Sequence, residues 1–325
     1  MSPLVRPAVA VLHDGRDPLP ASAELDELAE VRPAEADRLA EVLPGADVLL
    51  AWDFSSGQVE KAWQAADSLR WVHSASAGVD RLLFPGLLDS DAVLTNSRGV
   101  FDQPIAEYVL GLILAFAKGF VETIDLQRRN HWQHRETERI AGRHALIIGT
   151  GPIGRATGRL LRAAGLTVEG VGRRPRQADV DLGLVHASEN LLDALPRADF
   201  VVCAAPLTPA TRGMIDATAF AAMRPTARFI NVGRGPLVVE DDLIAALRAG
   251  SLAGAALDVV AQEPLSPESP LWTMPNVIVS PHMSGDVTGW RAELFELFLA
   301  NLRRYRAGDP LENVVDKNRG YVPTG

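Results

Sequence analysis

The stretch HALIIGTGPIGRATGRLLRAAG, from His144 to Gly165, joins a short apolar run to a helix-like segment through closely spaced glycines. Glycines at positions 149, 151 and 154 give the spacing G-x-G-x-x-G. That spacing alone is a weak signal, but a strand before it and a helix after it predict a loop that binds a dinucleotide. A tight turn with only a structural role is the alternative.

Each residue of this loop has a physical role in the prediction. Gly149 makes the tight turn, Gly151 lets a pyrophosphate approach the backbone, and Gly154 lets helix and strand pack closely. The helix predicted over RATGRLLRAAG, which ends at Gly165, offers unpaired N–H groups and partial positive charge to the phosphates. Pro152 and Ile153, just before this helix, are also expected to border the cofactor.

The end of the next strand indicates which dinucleotide is favoured. An NAD site places Asp or Glu about 20 residues further on, where the carboxylate binds the ribose 2′-hydroxyl. Here that region holds Gly172, Arg173 and Arg174. Arginine pairs with a 2′-phosphate through charge-assisted bonds, so the sequence favours NADP(H) over NAD(H). Two alternatives stay open: the arginines are solvated loop residues, or Glu169, earlier on the strand, supplies the acid.

Short apolar runs alternate with helical patterns along the whole chain. The predicted strands are AVAVLHD, DVLLAW, LRWVHSAS and AVLTNS in the first hundred residues, and HALIIG, TVEGVG, FVVCAAP, RFINVG, GAALDVV and NVIVSPH from residue 144 onward. Helical spacing covers 24–43, 56–68, about 104–129 and the tail from about 289. This alternation predicts parallel sheets covered on both faces, and the second series has enough strands for a full dinucleotide-binding sheet.

Composition excludes several classes of protein. The 325 residues carry a net charge of −9 and no dense Lys/Arg cluster, which argues against a nucleic-acid partner. The longest apolar stretch, Tyr108 to Ala117, is about half of what spans a bilayer, so no membrane partner is expected.

The N-terminus is predicted to be a first strand rather than a signal peptide. A single cysteine, Cys203, fits a reducing compartment, and we expect a cytoplasmic protein. No metal is expected, because His131 and His134 lack acidic or sulfur partners at ligand spacing.

The remaining motifs together identify a family resemblance. In chain order they are SAGVD from Ser76, AEYVLGLIL from Ala106, GTGPIG, PLTPATRG from Pro206, NVGRGPLV from Asn231, ALDVVAQEP and SPHMSG from Ser280. The chain resembles the D-isomer-specific 2-hydroxyacid dehydrogenases, in particular the glyoxylate/hydroxypyruvate reductases. The resemblance implies an α/β fold of two doubly wound parallel-sheet domains, with a Rossmann dinucleotide-binding domain at 104–284 inserted into a flavodoxin-like substrate-binding domain at 1–103 and 285–325.

The resemblance also assigns three catalytic roles, and the chemistry of each residue suits its role. Arg234 would hold the substrate carboxylate and polarise the 2-oxo group, because its planar fork makes two parallel bonds. His282 would be the acid–base group, since imidazole titrates near neutrality. Glu263 would contact that imidazole and favour its charged form. Taken singly, each could equally be an ordinary loop residue.

Smaller assignments follow from the same resemblance. Val232, Arg234, Asp258 and His282 would also border the cofactor, Asp258 through the nicotinamide carboxamide, as would Ala204, Pro206 and Thr211. Ala77 and Gly78 would meet the substrate carboxylate with backbone N–H groups. Trp52 and Trp290 would shape the substrate pocket or simply pack. The apolar helix from Ile105 to Phe116 resembles a dimer-forming element, so a homodimer is expected.

The expected function is NAD(P)-dependent reduction of a small 2-oxo acid to a D-2-hydroxy acid, with hydride from NADPH and a proton from His282. Two alternatives stay open. One is a related dehydrogenase that acts on formate, phosphite or 3-phosphoglycerate. The other is a binding protein that senses the dinucleotide without turnover, because fold alone does not fix function.

Overall fold

The computed structural model describes residues 6–16 and 19–323 of the chain. The chain divides into two compact units, Met1–Val100 with Thr288–Gly325, and Phe101–Val287. We call them the terminal unit and the central unit. The boundaries expected from the sequence, at 103/104 and 284/285, fall within a few residues of these divisions. Which unit binds which ligand stays a prediction.

The terminal unit contains a five-stranded parallel sheet in the order β2-β1-β3-β4-β5. Its strands are β1 Ala8–His13, β2 Glu30–Glu35, β3 Val48–Ala51, β4 Trp71–Ser74 and β5 Val93–Asn96. Its first helices are α1 Ala23–Leu28, α2 Leu39–Val42, α3 Gln58–Ala62 and α4 Pro85–Leu88. All of β3 is buried, as expected for a parallel strand covered by helices on both faces.

Strand β2 corrects the helical pattern expected over residues 24–43. Only the two ends of that stretch are helical, and β2 between them pairs with β1 at the edge of the sheet. An edge strand tolerates Pro33 because one side of its backbone needs no partner. Most of β2 is also solvent-accessible, so the buried alternation that marks a strand is missing.

The central unit contains an eight-stranded sheet in the order β13-β12-β11-β10-β6-β7-β9-β8, in which only β8 runs antiparallel to its neighbour. Its strands are β6 His144–Ile148, β7 Thr167–Gly172, β8 Arg176–Asp179, β9 Gly183–Ala187, β10 Phe200–Cys203, β11 Arg228–Asn231, β12 Gly254–Leu257 and β13 Val277–Val279. Its helices are α5 Asp102–Ala117, α6 Phe120–Arg128, α7 Pro152–Ala163, α8 Leu191–Ala194, α9 Ala217–Ala222 and α10 Glu240–Arg248.

Two expectations for this unit are corrected. Six strands were expected, and the structure adds β8 and β9, a hairpin at one edge whose short, partly polar strands carry little periodic signal. The single helix expected over about 104–129 is two helices, α5 and α6. Gly119 separates them in the left-handed region, at φ 59°, where the helical hydrogen-bond ladder ends.

A buried apolar cluster fills the central unit between its sheet and helices. Phe220 of α9 meets Phe229 of β11 edge to face, with ring centroids 5.6 Å apart. Leu146 of β6 and Val201 of β10 belong to the same cluster. Because the strands are fixed by this packing, the loops at their carboxyl ends have defined positions.

The chain returns to the terminal unit as α11, Trp290–Ala307. Late in this helix, Tyr305 stacks on Trp71, the first residue of β4, with ring centroids 5.6 Å apart. At its start, Trp290 meets Phe54, which follows the end of β3, at 6.4 Å. Helix α11 therefore runs opposite to the strands, and its first turn lies at their carboxyl ends.

The expected fold class, two doubly wound parallel-sheet domains with one inserted in the other, is confirmed. The terminal sheet has the flavodoxin-like strand order, and the central sheet contains the Rossmann order with an additional strand at each edge. Within the described residues, no helix has the length and apolarity that crossing a bilayer requires.

Candidate active site

The residues predicted to bind cofactor and perform chemistry follow the carboxyl ends of strands in the central sheet. Gly149 follows β6, Asp258 follows β12, and the loops with Arg234 and His282 follow β11 and β13. In an open parallel sheet, ligands bind beyond these ends, where the strand order reverses. Here the reversal lies between β6 and β10.

The glycine loop between β6 and α7 is tightly packed at two of its glycines and open at the third. Gly149 adopts φ 110°, a backbone angle that residues other than glycine rarely adopt. A Cβ on Gly154 would overlap the carbonyl oxygen of Gly149, so α7 packs directly on the loop. A Cβ on Gly151 would meet nothing within 4 Å, so its backbone is open to an approaching group. Pro152 and Ile153 open α7, whose unpaired N–H groups and dipole favour an anion.

Residues 173–175, between β7 and β8, are here called the arginine loop. Arg173 and Arg174 are both exposed in it. The rival acid, Glu169, is already occupied. Its Oε2 pairs with His186 at 2.6 Å and accepts a hydrogen bond from Arg197 at 2.7 Å. The exposed charged side chains of the arginine loop are therefore both cations.

Arg234 sits in a turn that a buried asparagine holds. The side-chain Nδ2 of Asn231 donates to the carbonyl of Arg234 at 3.1 Å, and its Oδ1 accepts from the N–H of Gly233 at 3.1 Å. Gly235 packs against the chain after β12, since a Cβ there would overlap the carbonyl of Val260. The loop of Arg234 and the loop of Glu263 are thus fixed against each other.

Glu263 and His282 form a hydrogen-bonded pair. His282 Nδ1 lies 2.9 Å from Glu263 Oε2, while Glu263 Oε1 accepts from the N–H of Val260 at 3.3 Å. Burial raises the pKa of Glu263, but the bond and charge of His282, the Val260 N–H and the charge of Arg234 outweigh it and hold that pKa below its ordinary value. An ionised carboxylate only accepts hydrogen bonds, so Nδ1 carries the proton and donates it. Nε2 is then the nitrogen available for proton transfer.

Asp258 holds the turn that carries His282. Its Oδ1 accepts from the Ser280 hydroxyl at 2.7 Å and the Met283 N–H at 3.0 Å, and its Oδ2 accepts from the Ser284 N–H at 3.0 Å. His282 itself has φ 53°, uncommon for a residue other than glycine. A buried carboxylate with three donors explains how this backbone conformation is maintained.

The other residues predicted to border the cofactor lie on loops of the same sheet edge. Ala204 follows β10 and contacts Gly149, because a Cβ on that glycine would lie 2.6 Å from the Ala204 carbonyl oxygen. Thr211 donates to the carbonyl of Pro206 at 2.7 Å and so closes a turn. Val232 follows β11, with its N–H donating to the Cys203 carbonyl at 3.0 Å.

Cys203 is a core residue rather than a nucleophile. It is fully buried at the end of β10, and burial raises the pKa of its thiol to about 12. The thiol therefore stays protonated near neutral pH.

Four residues predicted to contact substrate or shape its pocket belong to the terminal unit. Trp52 is buried just after β3. Ala77 and Gly78 follow β4, and their carbonyls accept from Asn96 Nδ2 at 2.6 Å and Ser76 Oγ at 2.5 Å. These bonds fix the loop that contains both N–H groups. Trp290 packs on Phe54, and the guanidinium of Arg291 lies 4.5 Å from the Trp290 ring. Their roles toward substrate stay predictions.

Sequence reasoning missed the residues that hold the loops of Arg234, Glu263 and His282. Asn231 and Ser280 were quoted within the motifs but given no role. Glu240 was also missed, and its carboxylate accepts from the Ala261 N–H at 2.9 Å. Their signal is weak because Asn, Ser and Glu at loop ends are common, and only the fold shows which backbone groups they meet.

The chain shows no candidate metal centre within residues 6–16 and 19–323, where no three His, Cys, Asp or Glu side chains group suitably. His131 and His134 are both exposed.

Comparison with known proteins places this arrangement in a family. The family model for the NAD binding domain of D-isomer specific 2-hydroxyacid dehydrogenases matches residues 110–284. Glyoxylate/hydroxypyruvate reductase A of Serratia proteamaculans is 32% identical over 259 residues, which cover 78% of this chain and 82% of that protein.

Two solved structures are similar over nearly the whole chain. One is an NADPH-dependent glyoxylate/hydroxypyruvate reductase from Sinorhizobium meliloti in complex with NADP and sulfate. Its TM-score is 0.82 and its sequence identity 32%, and the match covers 97% of this chain and 100% of that one. The other is a D-isomer specific 2-hydroxyacid dehydrogenase from Xanthobacter autotrophicus in complex with NADPH and MES, with the same TM-score of 0.82, identity of 32% and coverages of 97% and 100%.

This chain belongs to the D-isomer specific 2-hydroxyacid dehydrogenase family. It is accordingly an NAD(P)-dependent oxidoreductase that acts on the CH–OH group of its donors, and the resemblance found in the sequence is confirmed.

Proposed function

We propose that this enzyme reduces a small 2-oxo acid, of the glyoxylate and hydroxypyruvate class, to the D-2-hydroxy acid with NADPH. The observation that carries the proposal is the Glu263–His282 pair at 2.9 Å, which directs the proton of Nδ1 to the carboxylate and leaves Nε2 for the substrate. The substrate class is supported by two relatives at 32% identity, which are both glyoxylate/hydroxypyruvate reductases.

The mechanism uses three side chains of the central unit. The glycine loop and the arginine loop would hold NADPH, which would supply the hydride that C2 of the substrate receives. Arg234 binds the carboxylate with its planar guanidinium and places positive charge near the 2-oxo oxygen, where negative charge develops. His282 gives its Nε2 proton to that oxygen and becomes neutral. Glu263 stabilises the charged imidazole before the transfer and holds the ring in one orientation.

The preference for NADPH rests on the arginine loop. Arg173 and Arg174 are exposed at the end of β7, and Glu169 is engaged elsewhere. A 2′-phosphate would gain charge-assisted bonds there, whereas a 2′-hydroxyl would find no carboxylate. The similar structures that contain NADP or NADPH support the same preference.

We also propose that the central unit binds the dinucleotide, that the terminal unit contributes substrate contacts, and that the enzyme is a cytoplasmic homodimer.

The expected dimer helix, α5, buries Ile105, Val109 and Ile113 within its own unit. The next helix, α6, instead exposes Phe120, Val121 and Ile124 by 50%, 45% and 48%. We therefore assign the dimer contact to α6.

The test is a panel of 2-oxo acids assayed for oxidation of NADPH and of NADH. The acids would run from glyoxylate and hydroxypyruvate to phenylpyruvate. We expect repeated turnover that is fastest with the small acids and with NADPH. Stoichiometric binding of NADPH without turnover on any acid would instead identify a sensor, and preference for phenylpyruvate would refute the substrate class.

A further inference from the structure

Asp179 is a buried carboxylate at the end of the β8 strand that follows the arginine loop. Only 8% of the residue is exposed. Asp179 belongs neither to the glycine loop nor to the predicted catalytic residues. Burying a carboxylate is unfavourable unless several hydrogen-bond donors or cations surround it.

Four hydrogen-bond donors and one further cation surround this carboxylate. Arg155 of α7 makes a two-pronged contact, Nη1 to Oδ1 at 3.1 Å and Nη2 to Oδ2 at 2.8 Å. Arg176 Nε lies 2.7 Å from Oδ2 and contributes an ion pair without hydrogen-bond geometry. The N–H groups of Asp181 and Leu182 donate to Oδ1 at 3.1 and 3.2 Å. With its oxygens so engaged, Asp179 is not the ribose-binding acid of an NAD site.

The surroundings keep Asp179 ionised. Burial raises the pKa of this carboxyl group, but the hydrogen bonds from Arg155 and the two N–H groups, with the charge of Arg155, more than offset burial and hold the pKa below its ordinary value. The ion pairs therefore persist through the neutral range.

The arginine loop is anchored on both sides. On its far side, Arg176 and Asp179 tie it to Arg155, which lies one turn into the helix that the glycine loop opens. On its near side, Gly172 packs against the glycine loop, since a Cβ there would lie 2.8 Å from Thr150 Oγ1. The exposed arginines are thus held between two fixed points beside the predicted pyrophosphate site.

We propose that Asp179 is a positioning residue for dinucleotide selectivity, acting through Arg155 and Arg176 to hold the arginine loop where Arg173 and Arg174 meet a 2′-phosphate. The inference rests on the proposed use of NADPH. Long arginine side chains lose rotamer freedom when they bind, and a fixed backbone lowers that cost. Only a cofactor with a 2′-phosphate gains from this, so the effect separates NADPH from NADH.

The variant that tests this is Asp179→Asn, which keeps the size of the side chain and removes its charge. The matched control is Asp199→Asn. Asp199 is also nearly buried, at 9% exposure, and lies 3.4 Å from Arg143 and 3.3 Å from Arg224. It precedes the amino end of β10, whereas the arginine loop follows the carboxyl end of β7.

Two readouts are measured for each protein. One is the KM for NADPH and for NADH at a saturating 2-oxo acid, with kcat and Tm. The other needs no turnover: calorimetric Kd values of adenosine 2′,5′-bisphosphate and of AMP. For Asp179→Asn we expect about a tenfold rise in KM for NADPH and in Kd for the bisphosphate, equivalent to about 1.4 kcal/mol. The KM for NADH, the Kd for AMP and kcat should stay within about twofold of wild type. Asp199→Asn should lower Tm without changing the NADPH-to-NADH ratio of KM values or the bisphosphate-to-AMP ratio of Kd values.

Other results overturn the inference in distinguishable ways. If wild type prefers neither NADPH nor the bisphosphate, the proposed cofactor is wrong and the inference falls with it. If wild type shows the preference but Asp179→Asn keeps it, or weakens both cofactors equally, only the inference is wrong. Should Asp179→Asn fail to fold, Arg155→Lys replaces it. That variant keeps the charge but loses the two-pronged contact, and it should shift the ratios by about threefold; unchanged ratios would refute the inference.

Discussion

The Nδ1 atom of His282 lies 2.9 Å from Oε2 of Glu263, and the backbone N–H of the same histidine donates to the carbonyl of Asp258 at 2.7 Å. One acidic residue thus holds the ring and another holds the turn beneath it. Because the two functions are carried by different residues, they can be separated by substitution.

Glu263→Gln removes the charge beside His282 but keeps an acceptor for its Nδ1 proton. We expect kcat for reduction to fall about 10- to 100-fold, because the neutral amide no longer stabilises the charged proton donor in its orientation. Steady-state kinetics measures the effect. A kcat equal to that of wild type would show that Glu263 does not support the acid.

The same pair makes a prediction about stability. The pKa of Glu263 is held low in the folded state, so its contribution is full above the ordinary carboxyl pKa and is lost as pH falls through the lower, folded value. The free energy of unfolding of wild type should exceed that of Glu263→Gln by at most about 1 kcal/mol near neutral pH, since the pair is partly exposed. The difference should vanish in acid. A difference that grows on acidification would contradict this assignment.

Asp258→Asn distinguishes two roles for that residue. Its carboxylate accepts three hydrogen bonds from the His282 turn, so we expect kcat to fall at least tenfold and stability by about 1–3 kcal/mol, while the Kd for NADPH stays unchanged. Fluorescence titration of cofactor beside steady-state kinetics gives both values. A large rise in Kd with little change in kcat would favour the nicotinamide contact predicted from the family resemblance.

Replacing Arg173 and Arg174 together by serine should remove the preference for NADPH. We expect KM for NADPH to rise about tenfold or more and KM for NADH to change little, because only the 2′-phosphate needs the cations. The wild-type preference should also weaken with added salt, since these side chains are exposed. Arg248→Ser, an exposed arginine at the end of α10, is the control and should change neither constant.

Ile124→Arg tests the assignment of the dimer contact to α6. A charge in an apolar interface is unfavourable, so the variant should have the mass of a monomer in light scattering at micromolar concentration, where wild type is a dimer. Val180→Arg places the same charge at another exposed apolar residue, 84% accessible in the β8–β9 hairpin, and should remain dimeric. A wild type that is already monomeric would remove the claim.

Sequence reasoning identified what local patterns encode. The buried strands of the central sheet, such as β6 and β10, are apolar runs with glycine or polar residues after them, and all six predicted strands exist. It missed β2, because Pro33 and exposed polar residues hide an edge strand, and it missed β8, at the edge of the central sheet, and β9 beside it. Edge strands are specified by their neighbours more than by their own pattern.

The candidate site shows the same division. Arg234, Glu263 and His282 stand in short motifs that can be read directly, and the structure brings Glu263 and His282 into contact. Asn231, Ser280 and Asp179 act through backbone groups and partners distant in sequence. Nothing in a single sequence indicates which partner each one meets, so their roles emerge only from the fold.

The role of His282 as proton donor can be measured as NADPH oxidation with glyoxylate and hydroxypyruvate in wild type and His282→Asn, with cofactor binding determined for both. Asparagine is the suitable replacement because it tolerates the positive φ of 53° at this position. We expect many turnovers by wild type, a loss of about 10²- to 10⁴-fold in kcat for the variant, and unchanged binding of NADPH. A variant that reduces either acid at the wild-type rate would show that His282 is not the proton donor.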